Sequence, residues 1–293
     1  MLGTFVILYL FLGGAAAAVL GTTAAWSLLF CGTRTRTPEQ DCAFTAVRAL
    51  SYRVGLVILL GAALCLLMDL GRPEKAFLLF TRPTLSYLTV GSFVLVGCMA
   101  VAVLLVATAT GSAPFAPSRA VKALEGVCIV LALAMMLYTG LYLAWLQAVP
   151  LWDNPVLPWL LAASSLSSGL SVVLALSPFV RDWRQLGGWF DALHRLHGWV
   201  LVGVAVLFAA FLLVGWANPL ARSSLCALVG LNEGGWWLWA GFVVAGVAVP
   251  WAAERFASWL PAPSPVIGAE ALCLLGGLIL RFCLVLSGTH YLG

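Results

Sequence analysis

The sequence predicts an all-α polytopic membrane protein of eight transmembrane helices, and three observations carry that prediction. Hydrophobic residues make up 63% of the 293 positions, charged residues only 9%, and the mean hydropathy is +1.06. A soluble domain carries about 25% charged residues. Eight apolar runs reach the roughly 20 residues that cross a hydrocarbon core. Between them the chain is short and rich in Pro, Gly or charge, which leaves one membrane domain, 1–293, and no soluble one. The runs must be helices, because nothing alternates with the two-residue period of a barrel strand and an unpaired backbone group in lipid costs several kcal/mol.

The first run, 3–30, ends before the first basic residue, Arg34. With no basic n-region ahead of it, the run reads as a retained span despite the small residues Ala15 to Ala18. "TRTRTPEQD" leads into the second run, 48–70, which contains Arg53 and ends at Asp69. The third, 84–110, opens at Tyr87 and is followed by "ATGSAPFAPSR". The fourth, 123–147, carries Glu125 near its start and Tyr138 about two-thirds along, and "PLWDNPVLP" turns into the fifth, 157–180, with Ser164 and Ser165. His194 and His197 introduce the sixth, 197–217; Pro250 lies near the end of the seventh, 235–257; "SWLPAPSP" precedes the eighth, 266–288, which holds Glu270 and Arg281. Lys and Arg number nine on the side that includes Arg34, Arg119 and Arg184, and four on the side of Arg72, Lys75, Arg82 and Arg222. The richer side is expected to be cytoplasmic, which puts both termini outside the cytoplasmic (inner) membrane.

The eight cysteines include no C-x-x-C pair, so no iron–sulfur cluster is expected on this chain, and they read as small buried hydrophobes. A b-type haem needs two facing histidines. His194 and His197 share one helix face and His290 lies beyond the last span on the other side, so no haem is expected either. The His194/His197 pair reads as a solvated or headgroup-facing helix start, and no metal is expected. Membrane lipid is an expected partner and nucleic acid is not.

Ionisable residues inside a span are costly and usually functional. Sorted by depth, Tyr9, Asp69, Tyr87, Tyr138, Ser164, Ser165 and Arg281 fall near the outer face; Arg53, Glu125, Glu270 and His197 fall nearer the cytoplasmic face. The outer set, an acid, an Arg, tyrosines and hydroxyls around apolar surface, suits a mostly hydrocarbon ligand with a small polar head. A quinone fits. Tyr138 and Tyr9 would donate to its carbonyls and Asp69 would relay a proton; alternatively Asp69 only pairs with Arg72 or Arg281. The inner set reads either as a proton path through Arg53, Glu125 and Glu270 or, more simply, as structural pairs in which Arg53 neutralises Glu125 or Glu270.

The stretch "DLGRPEKAFLLFTRP" has a physical reading of its own. Gly71 suits the left-handed position after a helix, Pro73 the first turn of a new one, and Glu74 its N-terminus. "AFLLF" would lie in the interface, ringed by Arg72, Lys75 and Arg82 as a docking surface for an acidic partner. The stretch also resembles the Asp-Leu-Gly-Arg-Pro loop of the NrfD family, the integral membrane subunits of polysulfide-reductase-like complexes. "YLFLGGAAAA", "YTGLYLAWLQAVPLWDNPVLPWLLAASSLSSGLS" and "GGLILRFCLVLSG" agree in order and spacing, so the resemblance covers nearly the whole chain.

The resemblance implies eight helices in roughly two four-helix bundles and a menaquinone or ubiquinone site near the outer face, with Tyr138 at the quinone head and Asp69 beside it. Together with Tyr9, Arg72, Ser164, Ser165 and Arg281 from the residue reading, Tyr138 makes up the expected quinone-binding set. It also implies an extracytoplasmic ferredoxin-like subunit with four iron–sulfur clusters and a molybdopterin catalytic subunit. Two departures stand out. Tyr9 occupies the place of a His in polysulfide reductase, and "HRLHGWVLVGVAVLFAAFL" lacks a membrane-embedded acid, which argues for a non-pumping subunit. The rival class is a secondary transporter, but no matched pair of Gly or Pro interruptions marks inverted repeats, since Pro250 has no counterpart in span three. A purely structural anchor would leave the outer polar set unexplained.

Overall fold

The computed structural model of the protein describes residues 3–33, 37–69, 87–111, 118–145, 149–180, 182–230, 233–256 and 263–289. Apart from short turns the described residues are helical, with eight helices long and apolar enough to cross a membrane and no strand among them. In chain order these are α1 (Thr4–Gly32), α2 (Pro38–Asp69), α3 (Tyr87–Ala109), α4 (Ser118–Trp145), α5 (Leu157–Leu176), α6 (Gly187–Ala217), a short non-spanning α7 (Arg222–Val229), α8 and α9 (Pro263–Thr289). α8 is a composite: a turn at Glu233–Trp236, a π-helical stretch over Trp237–Ala248 and an α-helical end at Val249–Phe256. The end of the bundle where α1 begins is called proximal below, and the opposite end distal.

Local chemistry sets the helix ends. α2 begins ten residues before the apolar run, because Thr37 and Gln40 form a reciprocal capping box: Gln40 N–H donates to Thr37 Oγ1 and Thr37 N–H to Gln40 Oε1, each at 3.3 Å. Pro38 then sits at the first helical position, with Glu39 and Asp41 in the first turn where the helix dipole favours acids. Arg48, at the very start of the apolar run, therefore lies well inside a helix. α3 is closed by Gly111 at φ 74°, a conformation that suits glycine. α6 starts at Gly187, so His194 and His197 lie well within it.

α1 and α5 are the enclosed helices, with 72% of the most apolar stretch of each buried. α1 packs on α2, α4, α5 and α9, and α5 packs on α1, α4, α6 and α9. Small residues make this possible. A β-carbon at Gly169 would lie 2.6 Å from the carbonyl carbon of Ala18 and 2.8 Å from Val19 N, and one at Gly14 would run into Ser165. The pairs Gly14/Ala18 and Ser165/Gly169 are thus facing small-xxx-small steps at which the two backbones touch, the packing mode available where lipid removes the hydrophobic drive between helices. Further out the pattern inverts that of a soluble protein, with Trp199, Leu213 and Phe179 all more than 70% exposed on the lipid side.

The connection "PLWDNPVLP" is more than a turn. Trp152 and Asn154 are buried; Trp152 Nε1 donates to Leu284 O (2.9 Å) and Asn154 Nδ2 to Phe211 O (3.1 Å), while Asn154 Oδ1 accepts from Val156 N–H (3.0 Å). One loop thereby ties α5 to both α6 and α9.

Candidate functional site

Counting from the proximal helix ends, Tyr9 is five residues into α1, Tyr138 seven from the end of α4, Ser164 seven into α5 and Arg281 eight from the end of α9. At about 1.5 Å per residue these side chains share one level, roughly 8–12 Å below the proximal end. They fall into two groups on adjacent faces of α1, because consecutive residues on a helix point about 100° apart.

The first group gathers around Gly13 of α1. Tyr9 and Tyr138 are electrostatic neighbours, with Tyr142 and Cys98 alongside. Tyr138 is 5% exposed and Tyr9 2%; the Tyr9 hydroxyl is turned toward that of Tyr138 without closing a well-formed hydrogen bond, and the Tyr138 hydroxyl meets no acceptor. Tyr138 packs at a tilt against Tyr142, ring centroids 6.0 Å apart, and its hydroxyl end rests directly on Gly91 of α3, where a β-carbon would collide with it. Buried phenols almost always find an acceptor, so a phenol pair with no acceptor beyond itself marks a place where one belongs.

The second group centres on Arg281, which is completely buried. Its Nη1 donates to Gly277 O (2.9 Å) and Ser164 Oγ (3.3 Å), and its Nη2 to Ser165 Oγ (2.6 Å) and Leu161 O (3.4 Å). The guanidinium also lies 5.4 Å from the centroid of the Phe11 ring. Nε is left unpaired, and no described carboxylate lies within ion-pair distance. Among the described residues this buried cation is held by neutral oxygens, and it places a positive field at this level of the bundle.

Asp69 is the last residue of α2 and is exposed at the proximal end. It makes no ion pair with Arg281; one carboxylate oxygen lies 3.0 Å from where a β-carbon on Gly3 would be, and Tyr142 is its electrostatic neighbour. Asp69, Tyr142, Tyr138 and Tyr9 thus form a succession from the surface to the buried phenols. Arg72, Lys75 and Arg82 lie outside the described residues, as does the side chain of Tyr87, the first residue of α3. Beside this level on the lipid side, a groove of about 390 Å³ opens between α4 and α5, lined by Leu137, Leu141, Ala144, Pro158 and Trp159, with Asp153 at its rim.

The inner residues correct the sequence reading. Arg53 is exposed on α2 and pairs with neither Glu125 nor Glu270. Glu125, 1% exposed, is met instead by Arg48 Nη1 (3.4 Å) and Tyr52 Oη (3.2 Å), and Arg48 also donates to Ser27 Oγ. Glu270 lies in a different set on α6, α8 and α9, so Arg53, Glu125 and Glu270 do not line up along one route. His197 is no headgroup-facing residue: it is fully buried, its Nε2 within 3.1 Å of Ser167 Oγ and its Nδ1 2.7 Å from Glu254 Oε1. Glu254 escaped sequence reading because it ends an apolar run one residue before Arg255. Its position at the same distal level as His194, His197 and Glu270 was the available signal.

A family model described as polysulphide reductase, NrfD, matches residues 1–293. The chain belongs to the NrfD family. It is 31% identical over 170 residues to a protein named NrfD from Escherichia coli, an alignment covering 57% of this chain and 53% of that protein. It is 30% identical over 180 residues to a polysulfide reductase subunit of Wolinella succinogenes, covering 59% and 55%. An NrfD homolog of Haemophilus influenzae matches at 27% over 143 residues, covering 47% of this chain and 43% of that protein. The alignments thus span about half the length of these relatives. As an NrfD-family chain with eight spanning helices, the protein is a multi-pass membrane protein.

Proposed function

We propose that this NrfD-family chain is the membrane anchor of a multisubunit oxidoreductase and exchanges electrons between the quinone pool and an extracytoplasmic iron–sulfur subunit, itself bound to a molybdopterin catalytic subunit. The observation that carries the reading is the pair of buried phenols Tyr9 and Tyr138, which meet no acceptor beyond each other, at the same level as the guanidinium of Arg281, which no described carboxylate meets. Two donors aimed into apolar surroundings suit the carbonyl oxygens of menaquinone or ubiquinone and satisfy what the fold leaves open.

Oxidation of a bound hydroquinone supplies two electrons and two protons. The residues divide the remaining work. Tyr138, held against Gly91, and Tyr9 orient the head group; Arg281, fixed by Ser164 and Ser165, stabilises negative charge that develops on an oxygen; Asp69, reached through Tyr142, passes the two released protons in turn to the proximal surface. The groove along Leu137, Leu141 and Trp159 suits a prenyl tail entering from lipid. Quinol oxidation is the proposed direction, with no proton translocation by this chain. Arg72, Lys75 and Arg82 are proposed to face the iron–sulfur subunit.

The test is purification of the complex in mild detergent from its native host, lipid extraction for quinone, and iron analysis of the co-purifying subunits. Co-purifying iron and stoichiometric quinone that Tyr138→Phe reduces at least tenfold are expected. Absence of quinone from an active, iron-containing complex, or equal quinone in the Tyr138→Phe complex, would overturn the assignment.

A further inference from the structure

The distal halves of α6, α8 and α9 hold a second polar cluster that quinone exchange does not use. His194 and His197, one turn apart on α6, both face Glu254 near the end of α8: His194 Nδ1 lies 2.5 Å from Glu254 Oε2, and His197 Nδ1 2.7 Å from Glu254 Oε1. Glu270 of α9 completes the group, its Oε2 3.5 Å from His197 Nδ1. That oxygen is buried and has no hydrogen-bond partner. Ligand atoms of His194, Glu254 and Glu270, one from each helix, all lie within 4.8 Å of one another.

Two carboxylates buried together are costly unless positive charge meets them. Among the described residues no Lys or Arg does so; the only basic groups within ion-pair distance are the two imidazoles. One imidazole nitrogen and two carboxylates are the donor set that divalent first-row ions such as Zn²⁺ accept, at about 2.0–2.2 Å from the metal, leaving a fourth position for water. The inner wall is already built. His197 holds Glu254 from behind, and Ser167 and Ser171 (3.1 and 3.3 Å) hold the far nitrogen of His197, the outer-shell support that metal-binding carboxylates need. An approach exists as well, since the His194 side chain is 21% exposed while those of Glu254 and Glu270 are 5% and 2%.

The backbone around the cluster is unusual. The π-helical stretch Trp237–Ala248 leads directly into the turn that carries Glu254, and π-helical insertions are frequent at functional sites because they re-aim the side chains that follow. Gly246 and Gly276 meet backbone to backbone, which holds α8 tight on α9 and so keeps Glu254 close to Glu270.

We propose that His194, Glu254 and Glu270 form a binding site for a divalent transition-metal ion that staples α6, α8 and α9 at the distal end, with His197 as a positioning residue. The test uses the untagged protein, alone or in its complex, stripped with chelator in detergent and titrated with Zn²⁺ by equilibrium dialysis with elemental analysis. Competition with Mn²⁺ is followed by loss of the free-ion electron paramagnetic resonance signal. One equivalent of Zn²⁺ is expected at micromolar affinity or tighter, with a rise in thermal unfolding temperature. His194→Gln, partly exposed and tolerant of change, should weaken binding at least tenfold, as should Glu270→Gln, while Glu39→Gln at the exposed start of α2 should not. Stripped wild-type protein that takes up less than one equivalent, or His194→Gln and Glu270→Gln proteins that bind Zn²⁺ as tightly as wild type, would overturn the site. Neither readout involves quinone turnover, so this outcome is independent of the quinone assignment.

Discussion

Replacing Arg281 with Met separates a structural role from a functional one. The guanidinium makes four hydrogen bonds, to Gly277 O, Leu161 O and the hydroxyls of Ser164 and Ser165. Bonds to charged groups contribute about 1.5–3 kcal/mol each. Against them stands the cost of holding a cation fully buried with no described carboxylate beside it, several kcal/mol after relaxation. The carbonyls left behind keep other donors, because Leu161 O already accepts from Ser165 Oγ at 2.8 Å and Gly277 lies inside a helix. Met fills similar volume and adapts its shape. The opposing contributions therefore nearly cancel, and Arg281→Met should change unfolding free energy by no more than about 2 kcal/mol. Quinol turnover is another matter: if Arg281 stabilises charge developing on the head group, its loss should lower turnover at least 100-fold, about 2.7 kcal/mol of barrier. The assay is quinol-dependent reduction of an artificial acceptor by the assembled complex, beside thermal unfolding in the same detergent. A variant that unfolds readily yet, once assembled, turns over within twofold of wild type would refute the reasoning and make Arg281 a packing element.

Gly91→Ala should press a methyl group into the Tyr138 hydroxyl and shift the phenol, costing about 1–3 kcal/mol in stability and roughly tenfold in quinol turnover; an unchanged KM and kcat would show that the Tyr138 position is not used. Arg48→Met leaves Glu125 buried with Tyr52 as its one partner among the described residues and should destabilise by about 3–5 kcal/mol in thermal or denaturant unfolding, whereas the Arg48→Met/Glu125→Gln double variant should recover most of it. Asp69→Asn should slow quinol turnover while leaving the complex assembled on a native gel, and normal turnover would remove Asp69 from the proton route. Charge reversal at Lys75 and Arg82 should weaken retention of the iron–sulfur subunit in detergent and make it more salt-sensitive; undisturbed co-purification would exclude that loop as the docking surface.

How far the site was legible in the sequence depends on which coordinate is asked for. Depth could be counted. Tyr9, Tyr138, Ser164, Ser165 and Arg281 do share a level, because every spanning helix rises by the same amount per residue and the runs had recognisable ends. Rotation about each helix axis could not be counted: an apolar helix among apolar neighbours and lipid has no polar face to declare which side turns inward. Depth alone therefore could not separate the phenol pair on one side of α1 from the Arg281 set on the next. For the same reason Arg53, mid-run and plausible as a counter-ion, lies exposed, while Arg48, at the edge of the same run, reaches Glu125.

Composition and run length by themselves determined the solvent, the helical class and the number of spans, because a hydrocarbon medium permits few solutions for a backbone that must satisfy its own hydrogen bonds. The tertiary structure alone decided which side chains meet: Gly14 and Gly169 admit α1 to α5, Gly246 and Gly276 admit α8 to α9, and a π-helical stretch leads into the turn that carries Glu254 toward His194 and His197. Those are close contacts between backbones far apart in the chain. Their geometry arises from the shape of both surfaces at once, and no local stretch of sequence carries both.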